Sequence, residues 1–206
     1  MQTYSFLLAI AGVLLVGAMS PGPSFIVVAQ NALSKSRAHG IATAVGTALG
    51  VAIFAILASF GVTLLLDKVP SAFQVFKIVG GAYLLYLAFL IWRAAKQSIA
   101  SQVEVEQGSK SYLRAFLTGL ITQTSNPKTA LVIAGIFAAF VPSSPPPNTV
   151  IYVALIAFII DFSWYAIVAT TLSSERSKNI YTRAKSNIDR VAAIFLAIVG
   201  VRLMFI

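Results

Sequence analysis

The strongest constraint on the fold is a helix-breaking triplet, Pro21-Gly22-Pro23, inside an otherwise continuous apolar run. Each proline lacks an amide donor and clashes with the carbonyl group one turn earlier, so backbone groups near Ala18 lose their helical partners. Inside a membrane such groups are tolerated only where they face protein or a wet cavity. Broken helices at that depth form substrate sites in many transporters. A kink that only shapes helix packing is the alternative, and a second break at Asn126-Pro127-Lys128 weighs against it.

The composition indicates an integral membrane protein of the all-α class. Hydrophobic residues make up 58% of the 206 and charged residues 10%, a balance outside the range of soluble domains. Long apolar runs between short polar gaps predict helices rather than the alternating strands of an outer-membrane barrel. No basic residue precedes the first run, so we interpret it as a retained helix and not as a secretory signal. Six transmembrane helices are predicted, at roughly 4–28, 41–66, 73–92, 112–141, 149–172 and 191–206. The first five are long enough to cross a bilayer, and the sixth is short.

The charges exclude several classes of partner. The net charge is +9, but the basic residues lie in the connections, including a basic loop predicted at 173–190, and not on one basic helix. We therefore expect contact with membrane lipids and no nucleic acid. There is no cysteine and only one histidine, His39, so we expect no metal site and no cofactor.

Basic residues also predict the orientation. Eleven of the fifteen lie in or beside the first, third and fifth connections, which the positive-inside rule assigns to the cytoplasm. Both termini are then expected outside the cytoplasm. The eleven are Lys35, Arg37, Arg93, Lys96, Lys110, Arg114, Arg176, Lys178, Arg183, Lys185 and Arg190.

The positions of the two breaks predict an inverted repeat. We divide the chain into a first three-helix half at 1–92, a cytoplasmic linker at 93–111 and a second half at 112–206. Because each half has an odd number of spans, the second is upside down relative to the first. Proline motifs break the first helix of each half, helices 1 and 4 of the six, a pattern typical of a transporter site at the membrane midplane.

Gly46 and Gly50 have a GxxxG spacing, which leaves two bare surfaces on one helix face. We expect this face to pack closely against another helix of the same chain. Formation of a homodimer through it is the alternative.

Two ionisable residues, Lys128 and Asp161, lie deep in apolar segments. Burial of either charge alone costs at least ~2.5 kcal/mol, and such residues commonly mark functional sites. We expect them to approach each other, or to share a water or a substrate, near the centre of the bundle. A static structural ion pair is the alternative, and Asp161 is also a candidate proton-coupling site.

Amide side chains near the breaks complete a site suited to a zwitterion. With the carbonyl groups freed behind Pro21 and the amides after Pro23, they offer donors for a carboxylate and acceptors for an ammonium group. No nucleophile lies near a base that could activate it, so we do not expect an enzyme. The candidate substrate-binding residues are Pro21, Gly22, Pro23, Gln30, Asn31, Gln123, Asn126, Pro127, Lys128 and Asp161.

Two blocks of the sequence resemble the signature motifs of the LysE/RhtB family of amino-acid exporters. The first, from Met19 to Gly50, begins MSPGPSF, and the second, from Asn126 to Val141, begins NPKTALV. The resemblance implies a bacterial inner-membrane exporter of amino acids or close derivatives, driven by proton exchange or by the membrane potential. It also implies functional roles for the two proline motifs, Lys128 and Asp161.

The residues also bear on the cargo and on the rival functions. No acidic cluster suits a dicationic cargo, so small neutral amino acids such as homoserine or threonine are favoured. A passive channel, or a membrane scaffold or enzyme with no transport role, is the alternative function.

Overall fold

The computed structural model describes residues 4–20, 22–68, 70–95, 111–142, 145–171 and 175–205. Within these ranges the chain forms eight α-helices and no strand, which confirms the all-α class. Most of the predicted linker, 96–110, lies outside the described residues, as does Pro21. The helices are α1 (Phe6–Met19), α2 (Pro23–Ser34), α3 (Arg37–Lys68), α4 (Pro70–Ala94), α5 (Tyr112–Thr124), α6 (Pro127–Phe140), α7 (Thr149–Thr171) and α8 (Glu175–Phe205).

Three of the described helices contain stretches long and apolar enough to cross a membrane: Arg37–Gly61 in α3, Lys77–Ala94 in α4, and all of α7. Helices α1 and α2 are bent by 57° relative to each other and make a fourth candidate if they form one span. Helices α5 and α6 have 13 and 14 residues, so each alone reaches only ~20 Å of the ~30 Å hydrocarbon core.

Three helices begin with a proline, at Pro23, Pro70 and Pro127. The first position of a helix suits proline because its amide would have no intrahelical partner there and its φ angle is already helical. The start of α6 is also capped, since the Asn126 side chain accepts a hydrogen bond from the Lys128 amide at 3.0 Å. The start of α2 has Gly22 in an extended conformation and no side-chain cap.

Residues 175–190 were predicted to belong to a basic loop, but they are helical, since α8 begins at Glu175 and continues to Phe205. No proline or glycine occurs in α8 before Gly200, so nothing in the chain interrupts the helix. Its 31 residues correspond to ~46 Å at ~1.5 Å per residue, well beyond a ~30 Å hydrocarbon core. The polar first half of α8 therefore extends an apolar second half.

Two clusters of buried apolar side chains hold the helices together. The larger joins α1, α3, α4, α6, α7 and α8 around fully buried residues such as Ile10, Leu84 and Leu196. The smaller packs α2 against α3 and α7 around Phe25. Many large apolar side chains face outward instead, as Leu8 does with 78% of its surface exposed, which suits a protein surrounded by lipid.

Glycines allow the closest helix crossings. A Cβ atom added to Gly46 would overlap the carbonyl oxygen of Phe116 on α5, and one added to Gly119 on α5 would overlap that of Thr43 on α3. The face with the GxxxG spacing therefore packs against α5 of the same chain, as predicted. Helices α4 and α8 cross in the same reciprocal way, since a Cβ on Gly81 would lie 2.6 Å from Gly200 O and one on Gly200 2.8 Å from Gly81 O.

Candidate functional site

A cavity of about 50 Å³ lies where the α1–α2 and α5–α6 junctions meet the middle of α3 and α7. Its apolar lining includes Leu14, Val51 and Ile160. At ~10–15 Å³ for each water molecule, the space holds a few waters, so an amino acid could enter only if the lining moved apart. Its polar lining consists of Ser20, Ser24, Gln123, Asn126, Lys128, Thr129, Asp161 and Tyr165.

A chain of hydrogen bonds crosses the cavity from one junction to α7. The Asn126 amide donates to Ser24 Oγ at 3.5 Å, the Ser24 hydroxyl donates to Gln123 Oε1, and Gln123 Nε2 donates to Asp161 Oδ1 at 3.4 Å. The first and last of these are long for hydrogen bonds. Because the four residues lie in or beside α2, α5, α6 and α7, a relative movement of these helices would break the chain.

Asp161 is buried on α7 with 5% of its surface exposed. Gln123 donates to Oδ1, and the Thr47 hydroxyl lies beside the carboxylate. Oδ2 is buried and receives no hydrogen bond from any residue that the structure describes. A buried carboxylate oxygen without a partner is costly, so this atom is available to a cation or to a proton.

Lys128 extends from the second residue of α6 towards the α1–α2 junction. Its ammonium group donates to the Ser20 carbonyl oxygen at 3.2 Å and would lie 3.7 Å from a Cβ atom at Gly22. A carboxylate on α8, that of Asp189, is close enough for its charge to act on Lys128. Among the described residues, the hydrogen bonds of Lys128 do not include one to Asp161, although the two share the cavity.

The structure brings five of the nine described candidate residues together at the cavity. Gly22, Gln123, Asn126, Lys128 and Asp161 line the cavity. The remaining four described residues, Pro23, Gln30, Asn31 and Pro127, do not line it.

Gln30 and Asn31 lie about two turns further along α2, and ~1.5 Å of rise for each residue carries them ~12 Å past Gly22. The Asn31 amide group instead bonds to Thr43 Oγ1 at 3.0 Å, and its oxygen accepts from Lys35 Nζ at 2.8 Å. Pro23 and Pro127 begin their helices and are exposed. Pro21, the remaining predicted residue, lies outside the described residues.

The sequence analysis missed several polar residues around the cavity. Ser20 and Ser24 flank the first proline motif, so their position beside a break was a usable signal. Tyr165 follows Asp161 by four residues and therefore shares its helix face. Asp189 was missed because it falls in the stretch that we predicted to be a loop. Among the described residues, no group of three or more His, Asp or Glu could hold a metal ion.

Comparison with known proteins identifies relatives over nearly the whole chain. The chain is 28% identical to the threonine efflux protein of Escherichia coli K12 over 202 residues, which is 96% of each chain. It is also 28% identical to the threonine efflux protein of Salmonella typhi over 198 residues, 95% of each chain. An uncharacterised membrane protein of Haemophilus influenzae is 26% identical over 193 residues, 93% of this chain and 92% of that one.

No solved structure matches the chain. The model of one protein family, described as LysE type translocator, matches residues 15–205, which include both proline motifs and every residue that lines the cavity except Leu14. This membrane protein therefore belongs to the LysE type translocator family.

Proposed function

We propose that the protein is a secondary-active exporter of amino acids, which binds its cargo in the cavity between the two junctions. The observation that carries the proposal is the pair of opposite charges there: the Lys128 ammonium group and the Asp161 carboxylate, whose buried Oδ2 receives no hydrogen bond from the described residues. A zwitterion offers a carboxylate to the first and an ammonium group to the second. The names of the relatives from E. coli and S. typhi, both threonine efflux proteins, agree with this class of cargo.

The architecture that we propose has six spans in two inverted halves. The first half, 1–92, holds α1 with α2, then α3 and all but the last two residues of α4. The second half, 112–206, holds α5 with α6, then α7 and α8, and residues 93–111 link the halves. Supporting this division, each half begins with a pair of short helices whose second member starts at a proline, and both junctions line the cavity. The reciprocal glycine crossing of α4 and α8 agrees with a two-fold relation between the halves.

The proposed location is the bacterial inner membrane, with both termini outside the cytoplasm. Lys35 and Arg37 lie at the α2–α3 connection, Arg93 at the end of α4 and Arg114 at the start of α5, all on the side that would face the cytoplasm. The chain has no cysteine, so single cysteines introduced at Ser5 and Ser36 can be labelled selectively. A membrane-impermeant maleimide added to intact spheroplasts should label the first and spare the second.

In the proposed cycle, the cytoplasm-facing state takes up an amino acid between Lys128 and Asp161. Rocking of the two halves opens the site outward, and protonation of Asp161 resets it after the cargo leaves. The small volume of the cavity, about 50 Å³, supports a carrier that must open on one side, whereas a passive channel would need a continuous polar path. Small neutral cargo such as threonine or homoserine is favoured, because one cation and one carboxylate balance one zwitterion.

The test is export from bacterial cells that lack their own exporters and are fed a panel of amino acids as dipeptides. Cells with the protein should release one or a few amino acids faster than cells with an empty vector. Asp161→Asn should abolish proton-coupled export, whereas Asp67→Asn, near the end of α3, controls for loss of an acidic residue elsewhere. If no amino acid leaves faster although the protein reaches the membrane, the proposal is wrong.

A second measurement separates a carrier from a channel and from a scaffold. In liposomes with purified protein, labelled amino acid outside should be taken up against an unlabelled pool inside. A carrier gives this counterflow, whereas a passive channel lets both pools equilibrate without it. A scaffold, or an enzyme with no transport role, moves neither pool.

A further inference from the structure

Ser20 is the C-terminal cap of α1, and 1% of its surface is exposed. Both backbone polar groups of Ser20 are hydrogen-bonded, since its amide donates to Val16 O at 3.3 Å and its carbonyl oxygen accepts from Lys128 Nζ at 3.2 Å. Its side-chain hydroxyl is not. Ser20 Oγ is buried, lines the cavity and has no hydrogen-bond partner among the residues that the structure describes.

Neighbouring hydroxyl groups do not share this property. Ser24 donates to Gln123 Oε1, and Thr47 donates to Ala44 O at 2.9 Å. Buried hydroxyl groups are normally hydrogen-bonded, and each exception calls for a physical reason. A ligand in the cavity is the reason that the position of Ser20 supports.

From this orphan hydroxyl we infer that Ser20 is a specificity-determining residue, which hydrogen-bonds to a hydroxyl group on the side chain of the cargo. The inference rests on the proposed function and deepens it. A cargo carboxylate at Lys128 would lie next to the Ser20 carbonyl oxygen, since that oxygen already accepts from the ammonium group. A hydroxyl on the β or γ carbon is only a few bonds from the carboxylate, so the side chain of the same serine is within reach of it.

The apolar part of the cavity lining explains why one hydroxyl contact would decide between threonine and valine. Leu14, Val132 and Ile160 offer only apolar contacts, which accept a methyl group but discriminate poorly between threonine and valine. A site that hydrogen-bonds to the hydroxyl of its cargo strongly rejects an analogue without that hydroxyl, because its own buried polar group is then left without a partner. An apolar pocket rejects an analogue with an added hydroxyl much more weakly. Threonine and valine have nearly the same shape, so their ratio isolates this contact.

The experiment is counterflow in proteoliposomes with labelled L-threonine, competed by unlabelled L-threonine or L-valine. For the wild type, L-threonine should compete about tenfold or more better than L-valine. Ser20→Ala should weaken competition by threonine and leave competition by valine unchanged, so that the preference for threonine is lost. Ser163→Ala, an exposed serine on α7, is the matched control and should retain the wild-type preference. Ser20→Cys keeps the side-chain volume with a much weaker donor and should lose the preference too, which provides a second variant if the alanine protein fails to fold.

Two results would overturn the inference alone. One is an unchanged threonine-to-valine ratio in both Ser20 variants, and the other is an equal loss for both amino acids, which would make Ser20 a structural cap of α1. If the wild type exchanges no zwitterionic amino acid, the proposed function fails as well. The two failures are thereby distinguished.

Discussion

The α1–α2 junction and the α5–α6 junction hold matching positions in the two halves that we propose, but they contribute different chemistry. At the second, Asn126 caps α6 with its own side chain, and Lys128 extends into the cavity. At the first, Gly22 caps α2 without a side chain, and Ser20 offers a carbonyl oxygen and a hydroxyl. One junction thus supplies a charged side chain and the other mainly backbone, so two proline-containing breaks beside the same cavity differ in the chemistry that they offer.

The largest expected effect comes from removing the link between the junctions. Lys128→Met keeps the length of the side chain but loses the ammonium group, leaving a cargo carboxylate without its cation. Loss of such a buried charged contact costs ~2–5 kcal/mol, so export of threonine should fall by about 100-fold. Uptake and release measured in cells with matched membrane levels test this. Lys77→Met on α4 is the control, and retention of export within about twofold in Lys128→Met would show that the junctions work without this residue.

The next largest effect is expected from disturbing the close packing of α3 against α5 beside the α5–α6 junction. A Cβ atom on Gly50 would lie 2.7 Å from Gln123 Cβ, so Gly50→Ala must push α5 and displace the residue that joins this junction to Asp161. Overpacking of this kind costs ~1–3 kcal/mol, which thermal unfolding in detergent should reveal together with reduced export. Gly12→Ala on α1 meets nothing within 4 Å and should be neutral or slightly stabilising. Equal behaviour of the two variants would contradict the close α3–α5 crossing.

A smaller effect should distinguish the caps. Asn126→Ala removes the acceptor for the Lys128 amide and should destabilise the protein by about 1 kcal/mol, whereas Asn126→Ser retains a capping oxygen and should lose only a few tenths. Chemical denaturation in mixed micelles compares the two variants directly. If the Asn126→Ala and Asn126→Ser variants are equally stable, the side-chain cap of α6 does not contribute to stability. The two junctions then differ less than their geometry indicates.

The smallest effect on export is expected at the α1–α2 junction, where Gly22 caps α2 without a side chain. Gly22 has a φ angle of −158°, an extended conformation open to any residue, and the Cβ of Gly22→Ala would make ordinary contacts with Lys128 at 3.7 and 3.9 Å. Thermal stability should therefore be unchanged. Export should fall by roughly three- to fivefold, equivalent to about 1 kcal/mol, because the methyl group occupies space beside the ammonium group. A large loss of stability in Gly22→Ala would mean that this junction is more constrained than its backbone indicates.

Local patterns predicted much of this arrangement. Apolar runs gave the helical class, and glycine spacing identified the close face of α3, because both depend on residues near each other in the chain. Lys128 and Asp161 were identified by the cost of burying a charge, which needs no knowledge of the fold. Whether they belong to a functional site, and whether the six spans form inverted halves, stays a prediction.

The remaining errors came from properties that sequence does not carry. Asn31 lies near the first break in sequence, but the rise of α2 takes it to a different network with Lys35 and Thr43. Asp189 looked solvated because basic residues surround it, and only the packing of α8 buries it to 1% exposure. The Lys128 ammonium group bonds to the Ser20 carbonyl oxygen. The proline motif predicted acceptors for an ammonium group among the carbonyl groups behind Pro21, but nothing in the sequence paired them with Lys128.

The crossing of α4 and α8 has a mechanical consequence. Where Gly81 and Gly200 meet, the two backbones approach closely and the side chains of Met204 and Leu84 pack against the crossing, so no space is left there for an added side-chain atom. The crossing therefore sets how closely α4 and α8 can pack, and a single methyl group at either glycine would force the two helices apart.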